Sequence, residues 1–199
     1  MGIVVAITGA SGAAYGRRLV ELLVEGGLAV DLIVSPHGEA LLASELGMTA
    51  GEMAATAGGD RGRIRAHDYG NLADPLASGS NPTDGMAVCP CSCHTLASIA
   101  AGLSDNLITR AAQVSLKERR RLVLCPRETP LSAIDLRNMA AVTEAGAIVA
   151  PLSPGFYHRP GTVEDLIDFM AGRVLDLLGV GHGLGIRWDG QAALGGSRS

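Results

Sequence analysis

The stretch Gly2–Gly12, GIVVAITGASG, carries an apolar run directly into a glycine-rich turn. Ile3 to Ile7 is continuously apolar rather than alternating, which is typical of a central parallel strand covered on both faces. A helix is predicted from Ala13, because leucines recur at helical spacing until Gly26-Gly27 ends the run. The chain therefore opens with a strand, a tight turn and a helix.

The turn between this strand and helix has the features of an anion site. Gly9 and Gly12 permit a tight turn that leaves backbone N–H groups and the Ser11 hydroxyl pointing outward. The first N–H groups of a helix lack partners, and the helix dipole favours negative charge there. The stretch is neither G-x-G-x-x-G nor a P-loop, so a turn that only packs the helix on the strand is an equal alternative.

Composition limits the class of protein. The 199 residues are 47% apolar and 18% charged, with a net charge of −4, which indicates one α/β domain without a nucleic-acid footprint. The low charge favours surface buried between subunits. No apolar stretch reaches the ~18 residues of a membrane span and no basic leader precedes the first strand. We therefore expect a cytoplasmic protein that binds neither nucleic acid nor membrane.

Strand and helix patterns alternate along the rest of the chain. Further strands are predicted at 28–34, 86–89, 122–125 and 147–150, and helices at 37–46, through 101, and at 106–117, 132–145 and 162–178. Residues 47–80 show only weak patterns. The alternation predicts a mostly parallel sheet with helices on both faces.

The unusual residues fall in loops after predicted strands, where open α/β sheets bind ligands. These loops are 9–12, Ser35, 90–95, 127–130 and 154–159. Their convergence is the main functional inference from pattern alone. The loop 92–95 repeats the geometry of the first turn and is a second candidate for binding phosphate or ring edges.

Cysteines cluster in the third of these loops. Cys89, Cys91, Cys93 and His94 raise the possibility of zinc, but the usual spacing of two intervening residues and a second ligand pair are missing. Small buried thiols are the favoured interpretation, and no metal is expected. In a chain without an export signal, reduced thiols are favoured over disulfides.

Several charged and aromatic positions have two interpretations. Arg127, beside Glu128, is either a phosphate ligand or half of an ion pair, and Glu45 is either functional or simply exposed. Arg173 fits a phosphate site or a subunit interface. Tyr157 and Trp188 fit a flat ligand, a prenyl chain or an interface.

Six segments of the chain, in order, resemble motifs of the UbiX/Pad1 family of flavin prenyltransferases. They are Thr8–Gly12, Ala77–Ser80, Cys89–Ser92, Leu116–Arg120, Pro126–Pro130 and Pro154–Pro160. The resemblance implies a three-layer Rossmann-like, flavodoxin-like fold forming a single flavoprotein domain over residues 1–199. It further implies a homo-oligomer, usually a dodecamer, with the tail from about residue 180 packing on a neighbouring subunit.

The resemblance also implies a reaction. Such proteins join a dimethylallyl group, from dimethylallyl phosphate or diphosphate, to N5 and C6 of reduced FMN without a metal. The prenylated FMN then serves a UbiD-type decarboxylase.

The resemblance implies roles for individual residues as well. The FMN-binding residues would be Gly9, Ala10, Ser11, Ser35, Ser92, Cys93, His94, Thr95, Arg110 and Arg127. The prenyl-donor residues would be Lys117, Tyr157, Arg173 and Trp188. The catalytic residues would be Ser11, Glu45 and Glu128. The chain departs from the family at Cys93-His94, where smaller or uncharged residues are common.

Two other functions compete with prenyl transfer. One is an FMN-dependent decarboxylase of the cysteine-decarboxylase type. Asn138-Met139 faintly resembles the substrate-recognition segment of those enzymes. The other is a flavin-binding subunit without catalysis. The basic residues and Tyr157 favour the transferase over the first, and the intact Glu45, Lys117, Arg173 and Trp188 favour it over the second.

Overall fold

The computed structural model describes residues 2–57 and 62–185, which form a three-layer α/β fold around one parallel sheet. The strands are β1 Gly2–Ile7, β2 Ala29–Val34, β3 Ile64–His67, β4 Gly85–Cys91, β5 Leu122–Pro126 and β6 Ile148–Val149. The helices are α1 Ala13–Glu25, α2 Pro36–Leu46, α3 Ala50–Thr56, α4 Cys93–Ala100, α5 Leu107–Lys117, α6 Ala133–Glu144 and α7 Val163–Leu178. A short 3₁₀ turn spans Pro75–Ala77.

The strand order is β3-β2-β1-β4-β5-β6, with parallel pairing throughout. This order matches the Rossmann arrangement, in which the chain direction across the sheet reverses between β1 and β4. The predicted three-layer fold is therefore confirmed. The reversal creates a crevice at the carboxyl ends of β1 and β4, between the loops that follow them.

The first strand lies at the centre of this sheet, and all six of its residues are buried. Ile3, Val5 and Ile7 face a core shared with α1 and α7, while Val4 and Ala6 face a core shared with α4 and α5. The continuous apolar run is needed because helices cover both faces of the strand.

The segment 47–80 contains a helix and a strand that the hydrophobic pattern of the sequence did not predict clearly. Thr49 and Glu52 form a reciprocal capping box that starts α3, and β3 adds an edge strand beside β2. These elements have only seven and four residues, too few for a clear hydrophobic period. Elsewhere the predicted bounds agree within about two residues.

One helix face has no covering element among residues 2–57 and 62–185. On α6, only Val142 is buried, whereas Ile134 and Leu136 are 61% and 54% exposed. Among the described residues, no helix is both long enough and apolar enough to span a bilayer.

Candidate functional site at the strand ends

The N-terminus of α1 binds an anion, and that anion is a side chain of the same protein. Both carboxylate oxygens of Glu45 lie close to the backbone N–H of Gly12, at 3.0 and 3.2 Å, and Ala13 N–H donates to one of them at 2.8 Å. Gly12 precedes the helix at φ +113°, a conformation that favours glycine. The predicted anion site is therefore filled internally by Glu45.

Ser11 and Arg127 complete a cluster around this carboxylate. Burial by itself raises the pKa of Glu45, but hydrogen bonds from Gly12 N–H, the Ser11 hydroxyl and Ala13 N–H, with the charge of Arg127, lower the pKa below its usual value. The Arg127 Nε donates to the Ser11 carbonyl oxygen at 3.0 Å. Three predicted site residues, two from loops and one from helix α2, therefore meet.

Arg127 and Glu128 do not act as a simple pair. The guanidinium of Arg127 reaches back to Ser11, whereas the Glu128 carboxylate accepts a hydrogen bond from Thr129 N–H at 3.0 Å. Both side chains line a cavity of about 270 Å³ whose other walls include Leu131, Met139 and Leu152. The lining of this cavity therefore combines charged and apolar side chains.

A second cavity, of about 450 Å³, lies at the topological switch point. It is lined by Gly9, Ser35, Pro36, His37, Tyr69, Ser92, His94 and Thr95. Five of these residues are predicted flavin ligands from the ends of β1, β2 and β4. A side chain at position 9 would bring its Cβ to 2.6 Å from the His37 Cβ, so only glycine leaves the wall in place.

Hydrogen bonds hold the floor of this cavity. The Ser35 and Ser92 side chains cap α2 and α4, accepting from Gly38 N–H at 3.1 Å and Thr95 N–H at 3.2 Å. The Thr8 hydroxyl donates to the Pro90 carbonyl at 2.9 Å and accepts from Ser92 N–H at 2.8 Å. The ends of β1 and β4 are thus locked together across the switch point.

The cysteines face away from this cavity. Cys89, Cys91 and Cys125 are buried in the core, and Cys93 faces Asp135 at the start of α6. Burial, followed by the hydrogen bond and charge of Asp135, raises the pKa of the Cys93 thiol to about 11. Across residues 2–57 and 62–185, no three His, Cys, Asp or Glu side chains are arranged to hold a metal.

Two predicted donor-binding residues lie far from the cluster within one chain. Lys117 ends α5, four ångströms from Glu118, just before β5 begins at the amino edge of the sheet. Arg173 pairs with Asp176 at 3.1 Å near the end of α7, where Arg121 binds the Leu178 carbonyl. A single protomer does not bring either residue to Arg127.

Other predicted residues take intermediate positions. Tyr157 packs edge-on against Phe169 of α7, with ring centres 5.5 Å apart, and is 41% exposed. Arg110 donates through Nε to the Ala77 carbonyl at 2.8 Å. Ala10 is buried behind the first turn. Trp188 lies outside the described residues.

Sequence reasoning missed two residues that line the switch-point cavity. Tyr69 follows the short edge strand β3, which had no clear pattern to place it. His37 lies in the first turn of α2, two residues after the predicted ligand Ser35. The proximity of His37 to Ser35 was the available signal.

Residues 1–175 match the flavoprotein family. The flavin prenyltransferase UbiX of Thermoplasma acidophilum is 46% identical over 190 residues, covering 94% of this chain and all of that protein. Two solved structures superpose with a TM-score of 0.87. One is AnUbiX (PadA1) in complex with FMN and dimethylallyl pyrophosphate, at 45% identity over 94% of this chain and 97% of that one. The other is a dodecameric FMN-dependent UbiX-like decarboxylase from Escherichia coli O157:H7, at 42% identity over 96% of this chain and 100% of that one.

These matches extend over nearly the whole chain, well beyond the segments that first indicated the resemblance. The family prediction is confirmed. The chain belongs to the flavoprotein family and, within it, to the UbiX flavin prenyltransferases.

Proposed function

We propose that this protein is a flavin prenyltransferase. It joins the dimethylallyl group of dimethylallyl phosphate or diphosphate to N5 and C6 of reduced FMN and releases phosphate or diphosphate, respectively. The observation that carries the proposal is the switch-point cavity beside the Ser11, Glu45 and Arg127 cluster. The product would serve a UbiD-type decarboxylase.

The residues around the switch-point cavity fit a flavin nucleotide. Its volume of about 450 Å³ is within the range of cofactor sites, and Gly9 leaves backbone exposed for close approach. Ser35 and Ser92 begin two helices at its rim, and helix N-termini favour an anionic phosphate. Reduced FMN supplies the nucleophilic ring atoms when it is bound.

The Ser11 and Glu45 pair would manage protons. Glu45 is a carboxylate at neutral pH, a state that its lowered pKa favours, and it lies where it can accept a proton. Ser11 links Glu45 to Arg127, which lines the 270 Å³ cavity. The Ser11 hydroxyl forms a hydrogen bond with Glu45, and the Ser11 carbonyl accepts one from Arg127. Glu128, beside the 270 Å³ cavity, is a second carboxylate within the same region.

Cationic side chains would stabilise the charge on the departing phosphate. Arg127 lies at the cluster. Lys117 and Arg173 would act at the site of a neighbouring subunit in a homo-oligomer, which we propose to be a dodecamer. The exposed apolar side chains of Ile134 and Leu136 are consistent with burial between copies of the chain.

The tail after residue 180, with Trp188, is proposed to pack on a neighbouring subunit and close the site. Tyr157 would line the path of the prenyl group, since an aromatic face stabilises an allylic cation without trapping it as a hydroxyl group would.

The deciding experiment is an anaerobic incubation with reduced FMN and dimethylallyl phosphate, followed by mass spectrometry of the flavin. We expect a gain of one C5H8 unit and release of phosphate. An unchanged flavin mass with both the monophosphate and the diphosphate would refute the proposal. Release of CO2 from a peptide with a C-terminal cysteine would instead support the decarboxylase.

A further inference from the structure

A buried aspartate lies within the second strand, where the sequence otherwise reads as apolar. Asp31 is 3% exposed, and its Oδ1 lies 2.9 Å from His67 Nε2 and 3.0 Å from Arg65 Nη2. On the other side of the ring, His67 Nδ1 lies 2.8 Å from Asp74 Oδ2. His67 is therefore held between two carboxylates.

This geometry fixes the charge of the ring. A neutral imidazole has one N–H, so one of its nitrogens would direct a lone pair at a carboxylate oxygen. Only the imidazolium donates to both Asp31 and Asp74. Burial lowers the pKa of His67, but the hydrogen bonds and charges of Asp74 and Asp31 outweigh it and raise the pKa above its usual value.

The cluster also determines the path of the chain between β3 and the 3₁₀ turn. His67 is the last residue of β3, and Asp74 caps the 3₁₀ turn by accepting from Leu76 N–H at 2.9 Å. Residues 68–73 lie between these two anchors. Within them, the Tyr69 carbonyl accepts from Leu107 N–H at 2.9 Å, and its side chain lines the switch-point cavity.

We propose that Tyr69 is a further residue of the flavin pocket, and that His67 is the positioning residue that holds it there through Asp31 and Asp74. The inference rests on the proposed function, because it takes the switch-point cavity to be the flavin site. His67 does not itself line that cavity. It acts by fixing both ends of the segment that carries Tyr69.

A pH dependence of flavin binding follows. A histidine with a raised pKa contributes stability that is fully present below its ordinary value of 6.5 and is lost as pH rises through the raised value. Deprotonation turns one donated hydrogen bond into a repulsive contact and releases the Tyr69 segment. Flavin affinity should therefore fall as the solution becomes alkaline.

Other ionisable groups surround these residues. Arg65 faces Asp31 from β3, and Asp105 lies near Tyr69. His37 and His94 line the same cavity. The comparison between the wild type and a His67 variant isolates the contribution of His67.

The test is a titration of the full-length protein with oxidised FMN, followed by fluorescence quenching from pH 6 to 9. We expect wild-type affinity to fall across this range as His67 loses its proton. His67→Gln should bind about tenfold more weakly at pH 6 and lose most of the pH dependence, and Asp74→Asn should change in the same direction. Tyr69→Ala should weaken binding at every pH.

Asp168→Asn is the matched control, because it removes a carboxylate that is also ion-paired, to Arg18, on the opposite face of the sheet. It should follow the wild type. A His67→Gln protein with the wild-type affinity and pH profile would overturn the proposal. If that variant fails to fold, NMR titration of the His67 Cε1 proton in the wild type decides, and a pKa at or below 6.5 overturns it.

These readouts separate the two proposals. Flavin binding and its pH profile are measured without a prenyl donor, so they remain interpretable if no prenylated flavin forms. Prenylation by the wild type with an unchanged His67→Gln binding profile would retain the proposed function and remove this inference.

Discussion

The Glu45 carboxylate accepts a hydrogen bond from the Gly12 backbone N–H at 3.0 Å, across a sequence separation of 33 residues. The contact joins the end of α2 to the start of α1. A carboxylate at the end of its own helix is poorly placed for that helix's dipole, but it is well placed for the dipole of α1. The helix start thus holds Glu45 ionised beside Ser11.

Replacing Glu45 by glutamine should slow turnover by about 10² or more, because a proton acceptor is lost, while FMN still binds. The loss of a charge at a helix start should lower the free energy of unfolding by about 0.5–1 kcal/mol. Single-turnover rates and thermal unfolding measure the two effects.

Glu39→Gln is the control for this substitution. The Glu39 carboxylate accepts from Ala50 N–H at 3.1 Å, so it contacts the start of α3 much as Glu45 contacts the start of α1. It should lose stability without losing turnover. Equal turnover in both variants would remove Glu45 from the mechanism.

The lowered pKa of Glu45 predicts an acid-labile contribution to stability. Its folded-state value lies below the ordinary 4.5, so the contribution is present above pH 4.5 and is lost as pH falls through the folded value. Thermal unfolding from pH 6 to 3 should show a steeper decline for wild type than for Glu45→Gln. Parallel curves would contradict this account.

Removing the Ser11 hydroxyl should slow turnover while FMN binding persists. The hydroxyl bonds Glu45, whereas the contact to Arg127 is made by the Ser11 backbone carbonyl and survives in Ser11→Ala. Ser44→Ala, an exposed hydroxyl on α2, is the control. A wild-type rate in Ser11→Ala would exclude the hydroxyl from proton transfer.

Arg173→Ala should weaken the apparent affinity for the prenyl donor by about tenfold or more, the usual value of a charged hydrogen bond, with less effect on FMN. Donor KM and FMN Kd are the two measurements. Arg17→Ala, which breaks the exposed pair with Glu21, should change neither. Equal losses for both ligands would indicate a structural role for Arg173.

The Cys93 thiol should resist alkylation. With its pKa raised to about 11, only about a thousandth of it is thiolate at pH 8, and the other three cysteines are buried. Iodoacetamide at pH 8 should therefore modify the native protein slowly and the urea-unfolded protein quickly. Rapid labelling of native Cys93 would show that burial and Asp135 do not raise the pKa of this thiol.

The sequence was sufficient for the layers and for most of the elements. The continuous apolar run in β1 requires cover on both faces, and the leucines of α1 recur at the helical period, so each pattern depends only on neighbours along the chain. Local sequence patterns also placed Ser35 and Ser92 at the starts of helices. The local patterns failed in 47–80, where the elements are short and the edge strand β3 pairs with the distant strand β2.

Tertiary structure decided the partnerships between charged and polar groups. Glu45 and Gly12, Arg127 and Ser11, and His67 with Asp31 are separated by 33, 116 and 36 residues, and no local periodicity encodes such pairs. Motifs could name Lys117 and Arg173 as site residues, but only the fold shows that they lie away from Arg127 in one chain. Short-range patterns determine which segments become helices or strands, because those patterns depend on neighbouring residues. Electrostatic partners are determined only when the parallel sheet brings distant loops to one edge.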